Sequence, residues 1–310
     1  MTSIVGYGII HNVRRGKKLP PLNRKELKHM EKKLDRRRKY FMVLDCETAT
    51  LPLVKDFDAD ARKKIAIAKP LIYDFGWTIC DSKGNVYRRR NYLITEIFSV
   101  PSVFQTAYYA TKRPIYLDAL EKGTIELMSW KDATAVFEAD LSEVVGVGAY
   151  NASFDFKKAI PFTELYIKNL YSADYSNWEN IQRESCKAIA SNTKSKRKYP
   201  DDTTVFKFRG KSYPLFDLWG LSCEHILNSD EYRTACEENG WKTESGKYYK
   251  TSAETTFRFI TGENDFDEAH TALNDAEIET EIFAIIHKKT KGKFTYGIVA
   301  FPFRIVGRAD

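Results

Sequence analysis

The sequence Phe41-Met42-Val43-Leu44-Asp45-Cys46-Glu47-Thr48 joins four apolar residues to two acids separated by one residue. Its unbroken apolar run is typical of a strand buried on both faces, as in a parallel or mixed sheet. Because side chains alternate along a strand, Asp45 and Glu47 point to one side and Cys46 to the other. Neighbouring carboxylates repel each other when both are ionised, and a hard divalent cation such as Mg²⁺ or Mn²⁺ removes that repulsion. The stretch therefore predicts a central strand that ends in a candidate metal site, with solvated acids as the alternative.

Two later stretches place acids beside other predicted strand and helix ends. Tyr150-Asn151-Ala152-Ser153-Phe154-Asp155 follows a second buried-strand pattern at Val144–Ala149 and leads into a helical pattern. His270-Thr271-Ala272-Leu273-Asn274-Asp275 stands at the start of a long helical pattern. Each stretch alone is a weak signal, and the combination in this order is specific.

The order D-x-E, N-x-x-F-D and H-x-x-x-x-D resembles the three motifs of the DEDDh family. These are proofreading-type 3′→5′ exonucleases with a ribonuclease H-like fold, and the resemblance covers roughly residues 39–289. The stretches Ala253–Phe259 and Glu268–Phe283 also resemble bacteriophage members of this group. The resemblance implies an α/β fold, with a ribonuclease H-like mixed β-sheet flanked by helices.

The resemblance also implies the composition of a catalytic site. In it, four carboxylates converge and bind two divalent cations, Mg²⁺ or Mn²⁺, which act on the attacking water and on the leaving oxygen of a phosphodiester. These four carboxylates are Asp45, Glu47, Asp155 and Asp275. Thr48 and Leu51 are implied to approach the terminal nucleotide, with Leu51 as a candidate wedge between bases. Asn151 either contacts the end of the substrate or braces the sheet.

His270 is assigned a separate role by its spacing. Two helical ligands of one ion usually lie three or four residues apart, whereas His270 and Asp275 are five apart. If both are helical, they are poorly placed to share an ion. An imidazole with a pKa of about 6.5 suits a general base for the attacking water. The alternative is a histidine that packs or caps the start of a helix.

The net charge of +7 is unevenly distributed along the chain. Thirteen basic and three acidic residues lie between Arg14 and Lys39, so this segment carries +10 and the remainder −3. A helix is predicted here from Arg24 to about Arg38. A basic arm on a slightly acidic body suits a protein that approaches a polyanion, and a solvated helix face is the alternative.

The 310 residues, 43% of them hydrophobic, suffice for one substantial core with appended structure. We expect a basic arm and helix at 1–38, an exonuclease domain at 39–290 with small hairpin insertions at about 172–250, and a C-terminal tail at 291–310. The segment Ser172–Pro200 is polar, and the basic cluster Lys194–Lys198 within it is predicted to be a mobile loop rather than a folded element.

Several features predict a cytoplasmic protein. No apolar run approaches the roughly 20 residues of a membrane span, and the start lacks the order of a secretory signal. The five cysteines form no CxxC pair, which indicates reduced, mostly buried thiols and no zinc site.

The predicted function is a metal-dependent 3′→5′ exonuclease that releases nucleoside 5′-monophosphates. The substrate is nucleic acid with a 3′ end, and DNA is favoured by the phage-like and proofreading-like resemblance. A DNA polymerase in trans is a possible partner. An exoribonuclease with the same residues is one alternative, and a non-catalytic nucleic-acid-binding or polymerase-binding subunit is another.

Overall fold

The structure is a computed structural model that describes residues 34–191 and 203–309. Its main feature is a seven-stranded sheet in the order β4-β3-β2-β1-β5-β7-β6. The strands are β1 (Tyr40–Ala49), β2 (Leu71–Asp81), β3 (Val86–Ile94), β4 (Glu126–Met128), β5 (Gly146–Ala149), β6 (Val205–Phe208) and β7 (Lys211–Asp217). The pairs β1–β5, β5–β7 and β3–β4 are parallel, and β1–β2, β2–β3 and β6–β7 are antiparallel. The predicted α/β class, a mixed sheet flanked by helices, is confirmed, and this strand order is consistent with the predicted ribonuclease H-like fold.

Helices cover both faces of the sheet. They are α1 (Ala59–Ala68), α2 (Thr95–Phe98), α3 (Pro101–Phe104), α4 (Arg113–Glu121), α5 (Trp130–Leu141), α6 (Ala152–Phe154), α7 (Ile160–Leu170), α8 (Tyr175–Ser191), α9 (Leu218–Ser222), α10 (Asp230–Asn239), α11 (Ala253–Thr261), α12 (Ala272–Thr290) and α13 (Phe303–Val306). Two 3₁₀ turns (Pro52–Asp56, Ala110–Lys112) and two π turns (Asp155–Ala159, Cys223–Leu227) complete the set. The first π turn joins α6 to α7, so Asp155 lies inside one continuous helical stretch.

Strand β1 divides the core into two layers. Met42, Leu44 and Cys46 belong to one apolar cluster, and Phe41 and Val43 belong to the other, on the opposite face of the sheet. Helix α12 contributes Ile278, Ile282 and Phe283 to the second cluster. The alternation continues past the apolar run, so Asp45 and Glu47 face the layer that contains α12.

Gly76 allows α12 to approach the sheet closely. It lies opposite Asp45 in the β1–β2 pair. A Cβ atom at this position would lie 2.4 Å from the backbone nitrogen of Leu273. Any side chain here would therefore push the first turn of α12, and the residues it carries, away from β1.

Two elements differ from the predictions. The part of the predicted basic helix that the structure describes, residues 34–39, is a turn, in which Asp35 accepts hydrogen bonds from the backbone and side chain of Arg37. The remainder of the arm lies outside the described residues, as does the cluster at Lys194–Lys198. Helix α8, whose Gln182 and Cys186 are buried, lies in the polar segment after Ser172 and was not predicted.

The hairpin around Arg209-Gly210 forms, and its second strand is part of the main sheet. Strand β7 is parallel to β5, with Asp217 opposite Ala149. Within the described ranges, no helix has both the length and the apolar character needed to cross a bilayer. All five cysteines are free and buried, as predicted.

Candidate active site

A cavity of ≈ 250 Å³ opens where β1 and β5 end and α12 begins. Its lining is dominated by acidic side chains from separate segments of the chain. The lining residues are Asp45, Cys46, Glu47, Tyr150, Asn151, Phe154, Asp155, Ala253, Glu268, His270, Asp275 and Glu279. The structure thus brings together the four predicted acids, His270 and Asn151.

The two acids of β1 are crowded in a poorly solvated place. Burial, followed by the charges of Glu268 and Asp74, raises the pKa of Asp45 to about 8. Burial, followed by Asp45 and Asp275, raises the pKa of Glu47 to about 10. A negative charge on any one of these carboxylates therefore disfavours ionisation of its neighbours.

Asp155 and Asp275 approach the same cavity from helix starts and are both buried. Burial and the charge of Asp45 raise the pKa of Asp155 well above its usual range. The same two causes raise the pKa of Asp275 to about 9. The Oδ1 atom of each has no hydrogen-bond partner among the residues that the structure describes.

Unpartnered buried carboxylate oxygens that repel one another form the donor set expected for hard divalent cations. A cation would supply the missing partners and allow the acids to ionise together. The donors of this cavity therefore fit Mg²⁺ or Mn²⁺.

His270 lies just before α12, in the left-handed region of backbone conformation at φ 50°. His270 is therefore not helical, so the condition of the spacing argument, that both residues are helical, is not met, and the spacing does not separate His270 from the ion. Its Nδ1 lies 3.6 Å from Glu268 Oε2 and 4.0 Å from Asp275 Oδ2. One ligand atom from each of Glu47, His270 and Asp275 lies within 4.8 Å of the other two.

An aromatic and basic segment supports the His270 ring from outside the cavity. Tyr109 stacks on the imidazole, with ring centroids 4.6 Å apart and planes 15° apart. Lys112 Nζ lies 4.5 Å from the centre of the Tyr109 ring and donates a hydrogen bond of 2.6 Å to the carbonyl of Ala269. Burial, and then the nearby Lys112 charge, lower the pKa of His270. The neutral imidazole is therefore favoured at neutral pH.

Asp74 fixes the start of α12 from the neighbouring strand. It pairs with Glu47 across the β1–β2 ladder, and its Oδ2 accepts a hydrogen bond of 3.0 Å from the backbone N–H of Ala272. A carboxylate at this point satisfies a free N–H group of the first turn. Asp74 therefore positions His270 and Asp275 without lining the cavity.

Sequence reasoning missed two acids of the cavity, Glu268 and Glu279. Glu279 follows Asp275 by one helical turn, and its Oε2 accepts a hydrogen bond of 3.1 Å from the backbone N–H of Tyr150. The i,i+4 spacing is a signal that could have found it. Burial, followed by the charge of Glu254, raises the pKa of Glu268 to about 7. Glu268 precedes the helix in an irregular segment, and no pattern in the sequence marks it.

Two of the predicted substrate contacts lie elsewhere. Leu51 is only 2% exposed and belongs to the core cluster on the other face of the sheet, so the structure does not place it as a wedge. The register of the β1–β2 pair shifts between Glu47 and Thr48, and Thr48 does not line the cavity. Asn151 lines the cavity directly before α6.

Comparison with known proteins gives little. No protein-family model matches the chain, and no curated protein matches it. Among solved structures, the chain is similar to a cell-death related nuclease, CRN-4, with a TM-score of 0.35 and 10% identity. The match covers 81% of this chain and 64% of that nuclease, so the chain spans less than two thirds of its length. A similarity this weak supports no activity for this chain.

Proposed function

We propose that the protein is a metal-dependent 3′→5′ exonuclease that releases nucleoside 5′-monophosphates. The observation that carries this proposal is the convergence of five side chains on one cavity of ≈ 250 Å³. These side chains are Asp45, Glu47, Asp155, Asp275 and His270. Several carboxylates from separate segments are what a pair of divalent cations requires.

The four carboxylates would hold two ions of Mg²⁺ or Mn²⁺. When bound, such ions supply an ionised nucleophile and relieve charge on the leaving oxygen. The acids alone would repel a phosphodiester, because substrate and cavity carry the same sign of charge. Substrate and cations are therefore expected to bind together.

His270 is proposed to be the general base. Its lowered pKa keeps the ring neutral and able to accept a proton near neutral pH. A proton on Nδ1 would face the carboxylate of Glu268, at 3.6 Å, which leaves Nε2 as the accepting nitrogen. Direct binding of a cation by His270 is the alternative role, since its ligand atom lies within 4.8 Å of those of Glu47 and Asp275.

DNA is the proposed substrate because of the phage-like and proofreading-like stretches, and an exoribonuclease is the second candidate. A purely binding subunit is disfavoured because the buried, mutually repelling acids would destabilise it without any benefit to binding. If the activity serves proofreading, a polymerase in trans is the proposed partner. The proposed location is the cytoplasm, or the host cytoplasm for a phage protein.

The direct test uses matched single strands of DNA and RNA, labelled at the 5′ end and incubated with Mg²⁺. We expect a ladder of labelled products that shorten from the 3′ end, with nucleoside 5′-monophosphates released. DNA should be digested faster than RNA of the same sequence.

Products cut at internal positions, or shortened from the 5′ end, would overturn the exonuclease proposal. Faster digestion of RNA would select the second candidate. Strand binding without hydrolysis in either Mg²⁺ or Mn²⁺ would select the binding subunit.

A further inference from the structure

Tyr108 is the most exposed large hydrophobic side chain in the described ranges, at 88%. Exposed aromatic rings forgo the free energy of burial, which is about 25 cal/mol for each Å² of apolar area. Such a ring is worth explaining when it lies beside a functional cavity rather than on a remote surface.

A chain of ring contacts fixes Tyr108 relative to the cavity. Its ring packs perpendicular to that of Tyr109, with centroids 4.8 Å apart and planes at 89°. Tyr109 in turn stacks on His270. Lys112 anchors this segment to the chain beside His270 through its hydrogen bond to Ala269. Tyr108 is thus held two ring contacts from the proposed general base.

The charge of this segment differs from that of the cavity. Lys112 and the exposed Arg113 come three and four residues after Tyr109, whereas the cavity wall is acidic. Open aromatic faces interleaved with cations are the arrangement by which proteins bind single strands, because every base has a face that can stack. In a duplex, the base faces are already stacked and cannot use such a ring.

We propose that Tyr108 is a stacking platform for an unpaired base of the strand that enters the cavity, with the exposed Arg113 facing its phosphates. This assignment rests on the proposed function and adds to it a preference for single-stranded ends. Tyr109 and Lys112 are positioning residues, and Tyr108 makes the contact with the base.

The test measures binding without turnover, in the Asp155→Asn background. Fluorescence anisotropy compares Tyr108→Ala, Tyr108→Phe and Tyr171→Ala on a labelled oligothymidylate. Tyr171 is a matched control, since it is 73% exposed and its hydroxyl donates a hydrogen bond to Glu96, whereas Tyr108 packs on Tyr109. Loss of one stacked base, worth about 1–3 kcal/mol, predicts binding weaker by about 5–150-fold for Tyr108→Ala. Tyr108→Phe and Tyr171→Ala should bind as the parent does.

An abasic strand separates stacking from other contacts. The parent protein should bind the abasic strand weakly, and the Tyr108→Ala variant should bind it with the same affinity as the parent. Equal affinity of Tyr108→Ala and its parent for the intact strand would overturn the assignment, as would an equal loss on intact and abasic strands. This assay measures binding and not hydrolysis. If the protein binds strands through Tyr108 but never cleaves them, the proposed function is overturned and the assignment of Tyr108 stands.

Discussion

At the residue scale, the buried acids of the cavity destabilise the folded protein when they are ionised. Protons or bound cations relieve this destabilisation. Three of them, Asp45, Glu47 and Asp275, have pKa values raised to about 8, 10 and 9, with burial as the largest cause. Ordinary carboxyl groups of an unfolded chain titrate near about 4. At pH values between the carboxyl pKa of the unfolded chain and those of the folded protein, the folded protein binds more protons. Its free energy of unfolding therefore falls as the pH rises.

The first prediction follows from this fall in stability with rising pH. In EDTA, the melting temperature should be lower at pH 8 than at pH 6, because the folded acids resist the ionisation that the unfolded chain undergoes freely. Mg²⁺ should raise the melting temperature by several degrees, and by more at pH 8, because it binds the ionised carboxylates. Thermal melts at the two pH values check this, and a melting temperature in EDTA that is higher at pH 8 would contradict it.

The second prediction concerns His270. His270→Ala should lower the rate of hydrolysis by about 10²–10⁴-fold, because that is the usual contribution of a general base. Strand affinity should change little. The wild-type rate should fall below the lowered pKa of His270, where the ring gains a proton, and this acid limb should be absent in the variant. An unchanged rate would make His270 structural, and a parallel loss of Mn²⁺ affinity would make it a ligand.

Local patterns predicted some site residues and missed others. The alternation of β1 sufficed to place Asp45 and Glu47 on one face, because it depends only on neighbouring residues. Asp74 and Glu268 reach the site through pairing between strands and through an irregular segment, neither of which has a short-range signature. The catalytic roles of the convergent residues stay predictions until they are measured.

At the scale of elements, the close contact between β2 and α12 determines where His270 and Asp275 lie. Gly76 provides the space, and Asp74 provides the hydrogen bond to Ala272. The geometry of the cavity thus depends on one helix start and one position on the strand.

The third prediction tests this contact. Gly76→Ala should destabilise the protein by about 1–3 kcal/mol, the usual range for overpacking, as measured by urea unfolding. Activity should fall by more than the loss of folded protein explains, since a shift of about 1 Å in a catalytic group can cost 10²-fold in rate. Gly123→Ala is the control, because it has φ 67° and nothing within 4 Å, and should alter stability alone. A Gly76→Ala variant with full activity would show that the helix position is not critical.

Helix α8 shows why one element was missed. Its composition is polar, yet Trp178, Gln182, Cys186 and Ile189 form a narrow stripe that packs on the core. From the sequence alone, so narrow a stripe does not distinguish a packed helix from a loop, because the surface it packs on is not known. In the structure that surface is helix α1. Strands β1 and β5 were easier to predict, since each lies in a continuous apolar run.

At the scale of the whole molecule, charge is divided between an acidic cavity and a basic arm. The arm up to residue 33 carries nine basic and two acidic residues. Chemistry is assigned to the motif residues beyond Lys39, so the arm is expected to contribute phosphate contacts only.

The fourth prediction is that removal of residues 1–33 weakens binding to long strands more than it slows cleavage of very short ones. The turn from residue 34 is kept because Asp35 N–H donates a hydrogen bond to Tyr40. Each lost phosphate contact on single strands should make the log–log salt dependence shallower by about 0.7. A full-length variant with these basic residues changed to Gln separates charge from chain length. Equal salt slopes for well-folded truncated and intact proteins would show that the arm does not touch the strand.

The acids of one cavity are proposed to hold the cations with which the protein hydrolyses a nucleic acid strand. The most direct measurement titrates Mn²⁺ into wild-type protein and Asp155→Asn by calorimetry, with digestion of a 5′-labelled DNA strand followed on the same samples. The wild type should bind two ions and shorten the strand, whereas a folded Asp155→Asn protein should bind Mn²⁺ more weakly and lose hydrolysis. Unchanged Mn²⁺ binding with normal hydrolysis in Asp155→Asn would contradict the account.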